Sequence, residues 1–113
     1  MGDCIFCSIV NGDIPSEKVY ENEYVFAFRD INPEAPVHIV IIPKKHIATI
    51  MDVDTSSNIS NELIKAAQHI AEKEGIDKRG FRLANNCNEE GGQTVYHLHV
   101  HLLGGRNMKW PPG

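Results

Sequence analysis

The sequence predicts an α+β domain built on an antiparallel sheet, and three observations carry that expectation. Segments with strand character fall next to one another in hairpin-like pairs, without the strand–helix–strand alternation of a parallel sheet. A single long amphipathic stripe, from about Ser57 to Glu74, marks one substantial helix. A much shorter helical pattern opens the chain. With 113 residues, 42% hydrophobic and 23% charged, residues 1–113 form one domain able to bury a core.

The elements follow in order. Ile5, Phe6, Ile9 and Val10 have helix-like spacing within Cys4–Val10, which stops at Asn11-Gly12. Ile14-Pro15-Ser16 is a turn. Val19–Tyr20 and Tyr24–Phe28 read as a hairpin pair joined across Glu21-Asn22-Glu23. Prolines mark Asn32–Pro36 as a loop, and His38–Ile42 is a β-branched run suited to a strand buried on both faces. In the long helix, Ile59, Leu63, Ala66, Ala67, Ile70 and Ala71 make the apolar stripe, Gly75 ends it, and Glu62, Lys65, Glu72 and Lys73 read as solvated charges. Phe81–Ala84 is another strand, Asn85–Gln93 a polar loop, and Thr94–Leu103 a last strand.

Composition narrows the function. Eleven Lys+Arg against 15 Asp+Glu give a net charge of -4, which argues against a general nucleic-acid binder. No apolar stretch approaches the roughly 20 residues needed to cross a bilayer. The start, MGDCIFC, has neither a basic leader nor a long apolar region, and Phe6 stands where a myristoylation motif wants Ser or Thr. Three cysteines do not suggest a disulfide framework, so the cytoplasm is the expected location.

The most informative segment is TVYHLHVHLL. On an extended strand, Val95, His97, His99, His101 and Leu103 share one face, while Thr94, Tyr96, Leu98, Val100 and Leu102 form the face that buries. Histidines two apart sit about 6.5–7 Å from one another and the outer pair about 13 Å. One zinc ion held by all three is strained, because zinc–nitrogen bonds are about 2.0–2.1 Å. A row of imidazoles offering a nucleophile, proton donors and anion ligands suits the spacing better. Histidine populates both protonation states near neutrality. A neutral ring nitrogen can attack phosphorus or carbon while a neighbour stabilises the developing charge. The preceding Gly91-Gly92 allows backbone N–H groups to approach an anion, and Asp30 can accept hydrogen bonds from a sugar diol.

These residues resemble a known family. GGQTVYHLHVHLLGG is similar to the signature of the histidine triad (HIT) superfamily, and the likeness extends through IFCSIVNGDIP, FAFRDINPEAPVHIVIIPKKHI and the ending GGRNMKWPPG. The ending and PKKHI look most like the Hint branch of purine nucleoside phosphoramidases and nucleotide-binding proteins. The resemblance implies one HIT domain over residues 1–113. Its fold would be a five-stranded antiparallel sheet with one long and one short helix, dimerising into a ten-stranded sheet. It implies a hydrolase that binds purine nucleoside monophosphates and cleaves the P–N bonds of their phosphoramidates through a nucleotidyl-histidine intermediate. A dinucleoside polyphosphate hydrolase, or a nucleotide-binding module with incidental hydrolysis, is the alternative. By position, His99 would be the nucleophile and His101 would contact the phosphate and assist the leaving group. His38 and His97 would support them; Asn86, Gly92 and Thr94 would line the phosphate pocket; Asp30 would hold the ribose hydroxyls. Phe6, Ile9, Ile14, Phe28 and Ile31 would enclose the base, and Trp110 would reach the partner subunit's site.

Cys4 and Cys7 form a C-x-x-C that reads either as half a zinc site or as a redox pair, and the redox reading lacks its βαβ context. A structural zinc needs four ligands, and His46 and His97 are the candidates to complete the set. Many bacterial HIT proteins resemble this sequence in having two such cysteines and two histidines on zinc. Cys87 has no second cysteine nearby and reads as an incidental thiol.

Overall fold

The computed structural model describes residues 4–113, so the expectations about the Met1–Gly2 start lie outside the described residues. The chain runs through α1 (Ile5–Val10), β1 (Lys18–Glu21), β2 (Val25–Arg29), β3 (Val37–Pro43), a 3-10 turn (Ile50–Asp52), α2 (Ile59–Lys73), β4 (Phe81–Ala84), α3 (Asn88–Gly91) and β5 (Val100–Gly104). All strands join one antiparallel five-stranded sheet in the order β1-β2-β3-β5-β4. The expected architecture is therefore present, with α3 and the 3-10 turn as additions.

Local chemistry explains the boundaries. The Cys4 sulfur accepts the Cys7 N–H at 3.3 Å and so caps α1, which stops before Gly12 at φ 83°. In the β1–β2 turn, Asn22 Oδ1 accepts the N–H groups of Tyr24 and Val25 at 2.8 and 2.9 Å. Gly75, at φ 75°, ends α2: its N–H reaches Glu72 O at 3.1 Å while that of Ile76 reaches Ala71 O at 3.0 Å. Glu62 departs from the solvated role expected of it. It is only 7% exposed and accepts from Asn22 Nδ2 at 3.1 Å, pinning the hairpin tip to α2.

The two sheet faces have different jobs. One packs Val25, Ala27, Ile39, Ile41 and Leu102 against Ala66, Ala67 and Ile70 of α2. Leu102 is fully buried there, so Leu102→Ala should cost about 2–5 kcal/mol in chemical denaturation, and a loss below about 1 kcal/mol would contradict this packing. The opposite face carries Phe26, Phe28, Val40 and Ile42, covered by Ile9, Phe6 and Val10 of α1. Directly paired residues share a face. Val40 pairs with His101 and His38 with Leu103, so His38 and His101 lie on the α1 side.

The last strand is shorter than its alternation predicts. Only Val100–Gly104 is strand, and neither His97 nor His99 lies in it. Thr94 and Tyr96, expected to bury, are exposed, whereas Leu98 and Leu102 do bury. The hydrogen-bond partners change where the strand ends. Register with β3 stops at Ile41–Val100. Beyond it the Pro43 carbonyl accepts from the His97 ring at 2.8 Å, and the His99 carbonyl accepts from Asn85 Nδ2 at 2.9 Å. The backbone of this segment pairs elsewhere, the Leu98 N–H donating to the Ile47 carbonyl at 2.6 Å. Among the described residues, no helix is long and apolar enough to cross a membrane.

Candidate active site and metal centre

Shortening the strand divides the histidines between two centres. His97 is fully buried and turns toward α1, while His99 and His101 stay in contact with ring centroids 5.1 Å apart. His38 joins them from β3, with its Nε2 2.9 Å from His101 Nδ1.

The partners of each ring determine where its proton sits. A carbonyl oxygen can only accept, so His99 Nδ1, 2.8 Å from the His97 carbonyl, carries the hydrogen. That leaves the lone pair on His99 Nε2. On His38 the logic reverses: the Glu34 N–H donates to Nδ1 at 3.0 Å, so the His38 proton is on Nε2. His38 Nε2 then donates to His101 Nδ1, and the His101 proton resides on Nε2. Two adjacent rings thus present opposite chemistry, a lone pair on His99 and an N–H on His101.

Surrounding groups hold these rings. Phe6 lies edge-on to His99 at 5.2 Å between centroids and packs T-shaped on Phe28 at 5.5 Å. Asp30 Oδ2 stands 3.4 Å from His38 Nε2, and its Oδ1 accepts the Asn32 N–H at 2.8 Å. A groove of about 700 Å³ runs past His38 and His101 and is lined also by Asn85, Asn86, Met108 and Pro111. Gly92, at φ 81°, caps α3 in the loop that leads to the site.

Of the residues expected around the base, the structure brings Phe6, Ile9 and Phe28 into one cluster. Ile14 and Ile31 stay outside it, and Ile31 is 91% exposed. Thr94 is exposed, and Trp110, 82% exposed, rests against the Arg82 guanidinium at 6.0 Å. Cys87 is half-buried and free. Sequence reasoning missed three contributors. Asn85 holds the His99 carbonyl, and the Glu34 N–H orients His38. Gln93 is buried, donating to the carbonyls of Ala48 and Val95 at 2.9 and 3.1 Å. Asn85 and Gln93 sit in a polar loop where nothing sets them apart, and a backbone N–H leaves no mark in a sequence.

Burial, then the neighbouring His99 and His38, hold the His101 pKa below the ordinary histidine value, while Asp30 pulls the other way. Burial does the same to His97. Below pH about 6.5 the unfolded chain therefore binds protons that the folded one resists. The stability these rings contribute is full above that pH and is lost as pH falls. Thermal midpoints should drop between about pH 7 and 5. A midpoint that rises on acidification would contradict this sign.

The second centre is a four-residue cluster. The ligand atoms of Cys4, Cys7, His46 and His97 all lie within 4.8 Å of one another. Cys4 Sγ and Cys7 Sγ are 3.2 and 3.5 Å from His97 Nδ1, and Cys7 Sγ is 3.4 Å from His46 Nδ1. Because His97 Nε2 gives its hydrogen to the Pro43 carbonyl, Nδ1 carries the lone pair. Both sulfurs face that lone pair, and Cys7 also faces His46 Nδ1, so four donor atoms converge on one point where a shared cation would sit. Zinc bonds of about 2.3 Å to sulfur and about 2.0–2.1 Å to nitrogen imply a tetrahedral S···N edge of roughly 3.5 Å. The donor set and its spacing fit a tetrahedral zinc. Burial, then the Cys4 sulfur, push the Cys7 thiol pKa up, a cost that a bound cation would reverse.

Comparison with known proteins agrees with this geometry. The HIT domain matches residues 11–108. A purine nucleoside phosphoramidase of Escherichia coli K12 is 50% identical over 107 residues, spanning 94% of this chain and 90% of that protein. A 14 kDa zinc-binding protein of Brassica juncea is 46% identical over 114 residues, spanning 98% of this chain and all of that one. Among solved structures, a HIT family hydrolase from Legionella pneumophila Philadelphia 1 superposes with a TM-score of 0.94 at 53% identity, covering 98% of this chain and 100% of the other. A sheet with paired imidazoles on its α1 face, matched in sequence and shape along almost the whole chain, is that of a member of the HIT domain family.

Proposed function

We propose that this protein is a hydrolase that binds purine nucleoside monophosphates and cleaves the P–N bond of their phosphoramidates, with His99 as nucleophile. The observation that carries the reading is the complementary pair of tautomers, a lone pair on His99 Nε2 beside an N–H on His101 Nε2. The His99 lone pair forms a bond to the α-phosphorus as the bond to an N-protonated leaving nitrogen breaks. That nitrogen keeps the bonding pair and departs as a neutral amine. His101 Nε2–H donates to the phosphoryl group as negative charge develops. Water then attacks phosphorus, His99 Nε2 departs with its electron pair, and one proton of the water is released.

Asp30 binds the ribose hydroxyls, Phe6, Ile9, Ile14, Phe28 and Ile31 surround the base, and Asn86, Gly92 and Thr94 line the phosphate pocket. His97 does not reach the substrate. Its carbonyl orients His99, and its ring, with Cys4, Cys7 and His46, would hold a structural zinc that ties α1 to the site. The phosphoramidase similarity at 50% identity supports the substrate class.

Two copies join along β4. It lies at one edge of the sheet with Leu83 exposed, and an unpaired edge is a template for a second chain. That pairing would set Trp110 toward the partner's site.

Incubation with adenosine 5'-phosphoramidate, diadenosine polyphosphates and AMP tests the reading. Release of AMP from the phosphoramidate at the highest kcat/KM supports it. Preference for the polyphosphates, or AMP binding with no turnover of either substrate, overturns it.

A further inference from the structure

We propose that Arg106 is a positioning residue of the active site, acting through the Glu34 peptide to keep His38 and His101 in their working tautomers. The inference rests on the phosphoramidase reading for its kinetic consequence, though not for its structural one. Arg106 lies two residues beyond β5, on the surface, where an arginine is ordinarily a solubilising charge. Yet it forms no ion pair among the described residues. Its Nε and Nη2 converge instead on one acceptor, the Glu34 carbonyl, at 3.1 and 2.9 Å, while Nη1 donates to the Asn107 carbonyl at 3.2 Å. Such charge-assisted, two-pronged bonds are stronger and more directional than neutral ones.

Glu34 is the residue whose N–H donates to His38 Nδ1 at 3.0 Å. It sits in the Asn32–Pro36 loop, which has no ladder partners of its own. The loop comes close to the β5 end because position 105 lacks a side chain. Gly105 has φ 88°, and a Cβ built on it would stand 2.8 Å from Pro36 Cβ. Arg106 then clasps the loop from the same turn. A guanidinium on the Glu34 carbonyl fixes the loop; the Glu34 N–H keeps His38 Nδ1 free of hydrogen; His38 Nε2–H holds His101 Nδ1 as acceptor; and the His101 proton stays on Nε2. Without the clasp, the Glu34 N–H is free to leave His38, and the alternative His38 tautomer, with hydrogen on Nδ1, becomes accessible. In that tautomer His38 Nε2 accepts from His101, and His101 loses the Nε2 donor.

The experiment uses the full chain labelled with 15N-histidine, in which long-range 1H–15N spectra report which nitrogen of each ring is protonated. Arg106→Ala is expected to raise the Nδ1–H population of His38. It should also lower kcat on adenosine 5'-phosphoramidate by about ten-fold, with KM within about two-fold. Arg106→Lys, keeping one donor, should fall between the two and covers the case in which the alanine variant folds poorly. An unchanged His38 tautomer in both variants overturns the proposal, including when activity falls together with the thermal midpoint. A wild-type protein that does not cleave the phosphoramidate defeats the functional reading alone, because the tautomer measurement still decides the Arg106 coupling.

Discussion

Replacing His99 with Ala or Asn should reduce hydrolysis of adenosine 5'-phosphoramidate by about 10³-fold or more, the largest loss expected of any single substitution. The size follows from the role proposed for it. A missing nucleophile removes the covalent route entirely, and what survives is rate enhancement from binding and phosphate stabilisation by the remaining groups. AMP affinity should change far less, because the proposed base and ribose contacts, Phe6, Phe28 and Asp30, lie on α1, on β2 and just past β2. Wild-type protein quenched during turnover should carry a nucleotide on one histidine, and the His99→Asn variant should not. Hydrolysis within ten-fold of wild type in that variant would remove His99 from the reaction.

Protein purified without added metal should contain zinc near one atom per chain, and removing it should lower the thermal midpoint substantially. At free zinc 100 times its dissociation constant the bound ion stabilises the fold by about 2.7 kcal/mol. For a domain of this size that corresponds to roughly 10 °C. Cys7→Ser should abolish both the zinc and the shift, since Cys7 faces His46 and His97 together. The sheet and α2 have a core of their own, so the metal-free chain should stay folded. Activity should decline in parallel, because the His97 whose ring faces the cysteines also supplies the carbonyl that orients His99. A metal content near zero, with a midpoint insensitive to chelation, would refute the site.

Much of this molecule was legible in the order of its residues. The α2 stripe, the β-branched run of β3 and the Asn22 turn depend on local periodicity and turn chemistry, and each formed close to its predicted bounds. The cysteine and histidine pairs were recognisable as donors because few other residue types can fill that role. The alternation of TVYHLHVHLL misled at its first half. Period-2 spacing records only that a segment is able to pair. Whether it does depends on the partners that folding brings near, here the Ile47 carbonyl that takes the Leu98 N–H and the Pro43 carbonyl that takes the His97 ring. Glu62 misled for a similar reason, since its burial depends on Asn22, forty residues earlier in the chain.

By itself, then, the sequence determined the α+β class, the positions of α1, α2 and the first four strands, and the family of chemistry that its histidines can perform. These are local or compositional properties, and they survive in a one-dimensional reading. The tertiary structure alone decided how the histidines are shared out: His97 to the cysteines, His38 and His101 to the groove, His99 between Phe6 and His101. It also decided which nitrogen of each ring carries the proton. That is set by the donor or acceptor a few ångströms away: the His97 carbonyl and the Glu34 N–H reach His99 and His38 through the local course of the backbone, while the Pro43 carbonyl and the His38 ring come from β3 to meet His97 and His101.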